Sequence, residues 1–217
     1  MIMAGGKNQK DMPKDYNIVK EIQKDKLYKS NVKVRDDKAR KILEDETSMV
    51  SNNKYIEGNL YMFNYFTPKT QEELKYYDAM PVAILFGSFK TKSGENRILG
   101  FNIHYYPPRI RYQIMNKIIE VFKGVYKKNW GEPLKTPITK FTYYSLIRNL
   151  QQAKLEFGVR EYDPQLMGKV HPIPVSLWHK AVFTEGHFKK QTREAILNHW
   201  KQLKEDKQLL KRAQSRP

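Results

Sequence analysis

The fold is decided by residues 81–105, which read PVAILFGSFKTKSGENRILGFNIHY. Residues 82–86 form a continuous apolar run, as expected of a buried strand. Residues 92–96 contain the Ser, Gly and Asn that favour a turn. Residues 97–105 then alternate between two faces, one of which is fully apolar. The stretch therefore predicts a β-hairpin within an antiparallel sheet.

The flanking segments extend this sheet and add a helix. Residues 60–66 are rich in aromatic side chains and predict a further strand. Pro107 and Pro108 end the sheet and start an amphipathic helix, whose apolar residues recur every three or four positions as far as Phe122. We therefore predict an α+β fold, with a small antiparallel β-sheet or barrel core packed by helices.

The second half of the chain predicts two further helices and one irregular segment. The apolar spacing of residues 143–155 predicts a second packing helix, which Gly158 ends. Three prolines indicate that residues 159–178 form an irregular wrapping segment. A narrow apolar edge in residues 189–212, surrounded by Lys and Arg, predicts a long basic helix.

Charge and hydropathy divide the chain into three parts. Residues 1–54 mix charged and amide side chains with few large apolar ones, so we expect an extended arm whose short helices form on docking. Residues 55–182 contain the β core, the packing helices and the wrapping segment. Within them, residues 55–108 carry five basic and five acidic side chains. Residues 183–217 are expected to form a basic C-terminal helix that extends as a second arm.

The basic charge is the main clue to the partners. Lys and Arg outnumber Asp and Glu by 40 to 23, for a net charge of +17. Such a charge favours nucleic acid or acidic protein surfaces as partners, although a solvated Lys-rich face is the plainer alternative. Basic and aromatic residues also interleave, which is typical of sequence-tolerant nucleic-acid binding. The candidate contacts to nucleic acid or an acidic partner are Arg109, Arg111, Lys127, Lys128, Lys189, Lys190, Arg193, Lys201 and Lys204.

Several classes of protein are excluded or disfavoured. No apolar run approaches the length that spans a bilayer, and the first residues become polar too early for a secretory signal, so we expect no membrane partner and no leader. The chain contains no Cys, which excludes disulfides and thiolate metal sites.

The sequence contains no catalytic motif. Its five His residues lack metal-binding spacing, no Ser lies in a Gly-x-Ser-x-Gly motif, and there is no phosphate-binding P-loop. We therefore expect no catalytic residue, no metal and no cofactor. Asp78 and His104 are the titratable residues nearest the core strands. We favour a structural role for them, and the alternative is that either one is a site residue.

Three motifs carry a resemblance to a known group of proteins. They are Gly58-x-Leu60-Tyr61-x-Phe63-x-Tyr65, Tyr76-Tyr77-Asp78-x-x-Pro81 and Gly100-Phe101-Asn102-x-His104-Tyr105-x-Pro107-x-x-Arg111. In order and spacing they resemble virion proteins of tailed bacteriophages, in particular the DNA end protectors and head-completion proteins of T-even-type phages. The resemblance implies a non-enzymatic virion component that contacts portal, neck or tail subunits within a symmetric oligomeric assembly.

Three hypotheses for the function follow. The first is a virion structural protein at the head–tail junction or tail, assembled in the host cytoplasm, which holds neighbouring subunits together; contact with the packaged DNA end is an open part of it. The second is a free nucleic-acid-binding protein that uses its basic and aromatic surface. The third is an enzyme acting on DNA ends, which would depend on Asp78 or His104.

Overall fold

A computed structural model describes residues 12–50, 55–65, 76–138, 156–198 and 201–202 of the chain. The strands are β1 (Leu60–Tyr65), β2 (Tyr77–Asp78), β3 (Val82–Lys90), β4 (Asn96–Asn102), β5 (Val159–Tyr162), β6 (Met167–Ile173) and β7 (Phe188–Lys189). The α-helices are α1 (Ile18–Lys24), α2 (Val32–Glu46), α3 (Pro108–Val121), α4 (Lys123–Lys128) and α5 (Trp178–Ala181). Residues 193–198 are also helical.

The main sheet contains five antiparallel strands in the order β5-β4-β3-β1-β6. Strands β3 and β4 form the predicted hairpin, which turns at Gly94 with a φ of 83°, a conformation that glycine adopts without strain. Strands β2 and β7 form a separate two-stranded sheet. The predicted α+β fold with an antiparallel sheet is confirmed, and the described strands form an open sheet rather than a barrel.

Both faces of the main sheet are buried, which explains why β1 is almost continuously apolar. Leu60 and Met62 face the larger core cluster, to which the helices also contribute. Tyr61 and Phe63 alternate with them and face a second, tyrosine-rich cluster that includes Tyr162. The second cluster lies beside the cavity described below.

The prediction that residues 159–178 are irregular is wrong, because this segment contains β5 and β6. Pro164 occupies a short 3-10 turn between the two strands. Pro172 lies within β6, opposite Tyr61, and β6 is an edge strand of the sheet. Proline is tolerated on an edge strand because its missing N–H need not serve a neighbour on the open side.

The helices follow their sequence signals with local differences. Helix α3 starts with Pro108 in its first turn, and Phe122 breaks the helical path before α4. The helix predicted for residues 143–155 lies outside the described residues. The C-terminal helix begins at residue 193 rather than 189, because Phe188–Lys189 pairs as β7. No described helix combines the length and apolarity needed to cross a membrane.

Residues 12–50 contain α1 and α2, and these helices pack against the core. Ile18 and Leu43 have no exposed surface and belong to the larger core cluster. In α2, the Arg40 Nε donates to Asp36 at 2.9 Å, and its guanidinium also bonds the carbonyl oxygen of Glu185. The described part of the predicted arm is thus attached to the core, and the domain boundary at residue 54 stays a prediction.

Candidate nucleic-acid interface

Most of the predicted basic contact residues lie on the surface. Arg109 is exposed in the first turn of α3, and Lys127 and Lys128 are exposed in the last turn of α4. Lys201 is exposed as well, whereas Lys204 lies outside the described residues.

Arg111 is the exception, because its side chain is fully buried. Its Nε donates to the Tyr106 carbonyl oxygen at 2.7 Å. Its Nη1 donates to the carbonyl oxygens of Val182, at 3.1 Å, and Thr184. Its Nη2 lies 3.1 Å from the Glu185 carboxylate. The structure therefore gives Arg111 an internal role, which joins the start of α3 to residues 182–185, in place of the predicted surface contact.

Lys189, Lys190 and Arg193 are close together in the chain, and we term them the basic strip. Lys189 is exposed on β7, and Lys190 has a φ of 69°, which ends the extended backbone of that strand. Lys190 and Arg193 line an open surface groove. The Arg193 guanidinium is 3.3 Å from the Glu194 carboxylate, so part of its charge is already offset.

A cavity of about 370 Å³ lies beside the basic strip. Its aromatic wall consists of Tyr65, Tyr76, Tyr77, Tyr105 and Tyr162, and we term it the tyrosine pocket. Tyr77 is directly opposite Lys189 in the β2–β7 pair, and residues in that relation project to the same face. The strip and the pocket therefore meet along these two short strands.

Arg160 supplies the positive charge of the tyrosine pocket. Its guanidinium carbon lies 4.4 Å from the ring centroid of Tyr105 and 5.1 Å from that of Tyr76, and its Nη2 donates to the Tyr76 hydroxyl at 2.9 Å. Burial acts to lower the pKa of Arg160, but the tyrosine contacts outweigh it and the pKa is raised. The guanidinium is therefore charged at every physiological pH, and it holds both rings in place.

Tyr162 forms part of the inner wall of the pocket. Its ring packs edge-on against Phe63 and Tyr65, with centroids 5.0 Å and 5.2 Å away. Burial raises the pKa of Tyr162 well above its ordinary value, so the hydroxyl is protonated. That hydroxyl has no hydrogen-bond partner among the described residues, although Tyr162 is only 4% exposed. A buried donor without a partner is uncommon.

A chain of buried polar groups lies behind the pocket. His104 Nδ1 is 2.6 Å from Asp78 Oδ2, and His104 Nε2 is 2.9 Å from the Thr184 hydroxyl. Burial acts to raise the pKa of Asp78, but His104, Asn102 and a backbone N–H outweigh it and lower the pKa to about 2. Burial lowers the pKa of His104, so at neutral pH the neutral ring donates to Asp78 through Nδ1.

The order carboxylate, imidazole, hydroxyl resembles a catalytic relay, but the burial of the three groups supports a structural role. His104 and Thr184 have no exposed surface, so a substrate has no access to them. The second carboxylate oxygen of Asp78 accepts from the backbone N–H groups of Met80 and His187, at 3.2 Å and 2.9 Å. The group joins β2, the end of β4 and the segment before β7. Within the described ranges, no three His, Asp or Glu side chains are grouped so as to hold a metal ion.

Comparison with known proteins decides the family. A family model described as phage T4 terminal DNA protecting protein matches residues 10–196, a span that includes every described strand. The chain belongs to this family. No curated protein and no solved structure matches the chain.

Membership of this family confirms the resemblance drawn from the three sequence motifs, and it supports a phage, DNA-associated role. Residues from all three motifs line the tyrosine pocket, among them Tyr65, Tyr76 and Tyr105. Sequence reasoning missed Arg160 and Tyr162, because prolines made their segment look irregular. The available signal was their period-two spacing, which places both side chains on one face of a strand.

Proposed function

We propose that this protein binds the ends of linear double-stranded phage DNA and shields them from degradation. The match to the terminal DNA protecting family over residues 10–196 carries this proposal. The protein acts by binding and not by catalysis, and the burial of Asp78, His104 and Thr184 supports that part of the proposal.

The charge distribution supports DNA as the partner. The net charge is +17, and exposed cations occur at Arg109, at the end of α4 and in the basic strip. Cations that neutralise phosphates release counterions from the duplex, and the affinity for DNA then falls steeply as salt rises. We expect the basic strip and Arg109 to make such contacts.

We also propose a position for the protein within the virion. The resemblance to head-completion proteins supports a position at the head–tail junction, where the protein contacts portal, neck or tail subunits in a symmetric assembly. A protein that only binds nucleic acid in solution would share the salt-dependent affinity but would be absent from purified particles. Quantitative mass spectrometry of purified particles distinguishes these two roles.

A salt series tests the binding itself. The affinity of the purified protein for a blunt linear duplex is compared with its affinity for a closed circle of the same sequence. We expect a preference for the linear form and slower digestion of the bound duplex by an exonuclease. Equal affinity for both forms, together with unchanged digestion, would overturn the proposal.

A pair of matched variants locates the contact surface. The double variant Lys189→Gln and Lys190→Gln removes two charges from the basic strip. It is expected to reduce the slope of log affinity against log salt by up to about 2, since each phosphate contact contributes about 0.9. The control variant Lys90→Gln and Lys92→Gln removes two charges from the exposed tip of the β3–β4 hairpin. We expect it to leave the slope unchanged.

A further inference from the structure

Recognition of a DNA end requires more than contacts to phosphate. The same backbone charge repeats along the whole duplex, so phosphate contacts do not distinguish an end from the interior. The terminal base pair differs because it has a stacking neighbour on one side only. Its bases are therefore the least costly in the duplex to unstack, and a pocket that accepts an unstacked base selects an end.

We propose that the tyrosine pocket binds one unstacked nucleobase from the terminal base pair of the DNA. This inference rests on the proposed function, and it names the part of the DNA that makes the end recognisable. The basic strip then holds the adjoining phosphates.

The shape and aromatic lining of the pocket suit a planar ring. Its volume of about 370 Å³ lies within the range of small-molecule sites, about 300 to 1,000 Å³. Tyr76 and Arg160 are half-buried, so they are accessible to a ligand, whereas Tyr105 is buried behind the guanidinium. A base is able to stack on the accessible part of the Tyr76 ring, as bases stack on aromatic side chains in nucleic-acid-binding proteins.

The charge of the lining favours a base over a phosphate. Among the described residues of the lining, Arg160 is the single cation, and the carboxylates of Asp78 and Glu161 also line the cavity. A phosphate group would meet these carboxylates at close range, whereas a neutral base meets no such repulsion. The phosphates therefore belong outside the cavity, along Lys189 and its neighbours.

The pocket is expected to accept any base. Every base presents a π-face, so stacking on an aromatic ring tolerates different sequences. The pocket should therefore accept different terminal sequences, as stacking sites generally do.

The arrangement of strip and pocket fits one strand end. Lys189 lies directly opposite Tyr77, and Phe188 packs edge-on against Tyr105 with centroids 5.1 Å apart. A backbone that follows the basic strip thus passes the cavity, and its last base is able to turn into it.

Photocrosslinking tests this inference on the full-length protein. Blunt duplexes carry one 5-iodo-2′-deoxyuridine, either at a terminal position or at the centre of the duplex, and mass spectrometry locates the crosslinks after irradiation. We expect the terminal probe to crosslink to Tyr76 or to a neighbouring tyrosine of the pocket. The central probe should give no crosslink in the pocket.

Variants of Tyr76 then measure how much stacking of a base on its ring contributes to the affinity for DNA ends. Tyr76→Ala should weaken binding to linear ends by between about 5-fold and about 150-fold, the range expected from losing one base–aromatic stack. Tyr76→Phe should retain most of the affinity, because it keeps the ring. The control Tyr28→Ala removes a tyrosine that is 53% exposed and outside the pocket, and it should leave binding unchanged.

The outcomes separate this inference from the proposed function. One outcome is that the wild-type protein prefers linear ends while the terminal probe gives no crosslink in the tyrosine pocket. In that case the inference about the pocket is wrong, and the proposed binding of DNA ends stands. If the wild-type protein shows no preference for ends, both fail. Crosslinking of the wild-type protein tests whether a terminal base enters the tyrosine pocket, and this test holds even if Tyr76→Ala does not fold.

Discussion

Replacing Arg111 by Met tests whether this residue supports the fold or binds a partner. Met has a side chain of similar length and no charge, so it fills much of the same space without the guanidinium. In the wild-type protein this guanidinium bonds the carbonyl oxygens of Tyr106, Val182 and Thr184, and it pairs with the Glu185 carboxylate.

The expected loss of stability is large because these bonds have no substitute in the variant. Arg111 has no exposed surface, so water cannot replace the missing donors without rearrangement of the core. Removing one partner from a buried charged network costs about 3 to 5 kcal/mol. Since natural domains are stable by about 5 to 15 kcal/mol, we expect Arg111→Met to lose a large part of the free energy of unfolding.

Equilibrium unfolding in urea measures this loss, and Arg109→Met is the matched control. Arg109 is an exposed arginine on the same helix, and its replacement should change the free energy of unfolding by no more than about 0.5 kcal/mol. The reasoning would be refuted if Arg111→Met cost less than about 1 kcal/mol. A loss of DNA affinity by Arg111→Met without any loss of stability would refute it as well, and would restore the surface-contact interpretation.

Two further predictions concern pH and proteolysis. Burial holds the pKa of His104 and His179 below the ordinary value, so the unfolded chain binds more protons in this range. The free energy of unfolding should be highest well above pH 6.5 and decline as the pH falls through about 6.5 toward 5.5. His104→Asn should reduce that decline. An equal decline in the variant would contradict the lowered pKa of His104 as its cause. In limited trypsin digestion of the isolated protein, α2 should resist cleavage, because Leu43 and Arg40 anchor it in the core. Cleavage of α2 at the rate of an unfolded peptide would favour the free-arm prediction.

The parts of the fold that the sequence predicts are those set by neighbours in the chain. The β3–β4 hairpin follows from an apolar run, a Gly-containing turn and an alternating strand. Helix α3 follows from Pro108 and a regular apolar spacing. Each of these signals acts over a few residues, so no distant contact is needed to interpret it.

The strands β5 and β6 show where local signals fail. Their prolines indicate a loop when the segment is considered alone. Pro172 is nevertheless accommodated, because β6 lies at the edge of the sheet. Strand order is a property of the assembled sheet, and it is not encoded in the segment itself.

The candidate site depends on contacts between distant parts of the chain. Arg160 and Tyr76 are 84 residues apart and share a hydrogen bond. The cavity thus combines β2, the end of β4 and β5, and no local pattern indicates that these segments meet. The family resemblance identified the DNA-associated role through its motifs, but it did not indicate that their tyrosines surround a cavity.

Arg109 and Arg111 illustrate the division between sequence and structure. The sequence determines that both carry a positive charge and that both lie near the start of a helix. Two residues apart on a helix, their side chains point in nearly opposite directions, so one is exposed and the other is buried. Which of them enters the core depends on the carbonyl groups of residues 182–184, about 70 residues away in the chain. Only the folded chain brings those acceptors to Arg111, because burial of a charge is tolerated only where hydrogen-bond partners meet it.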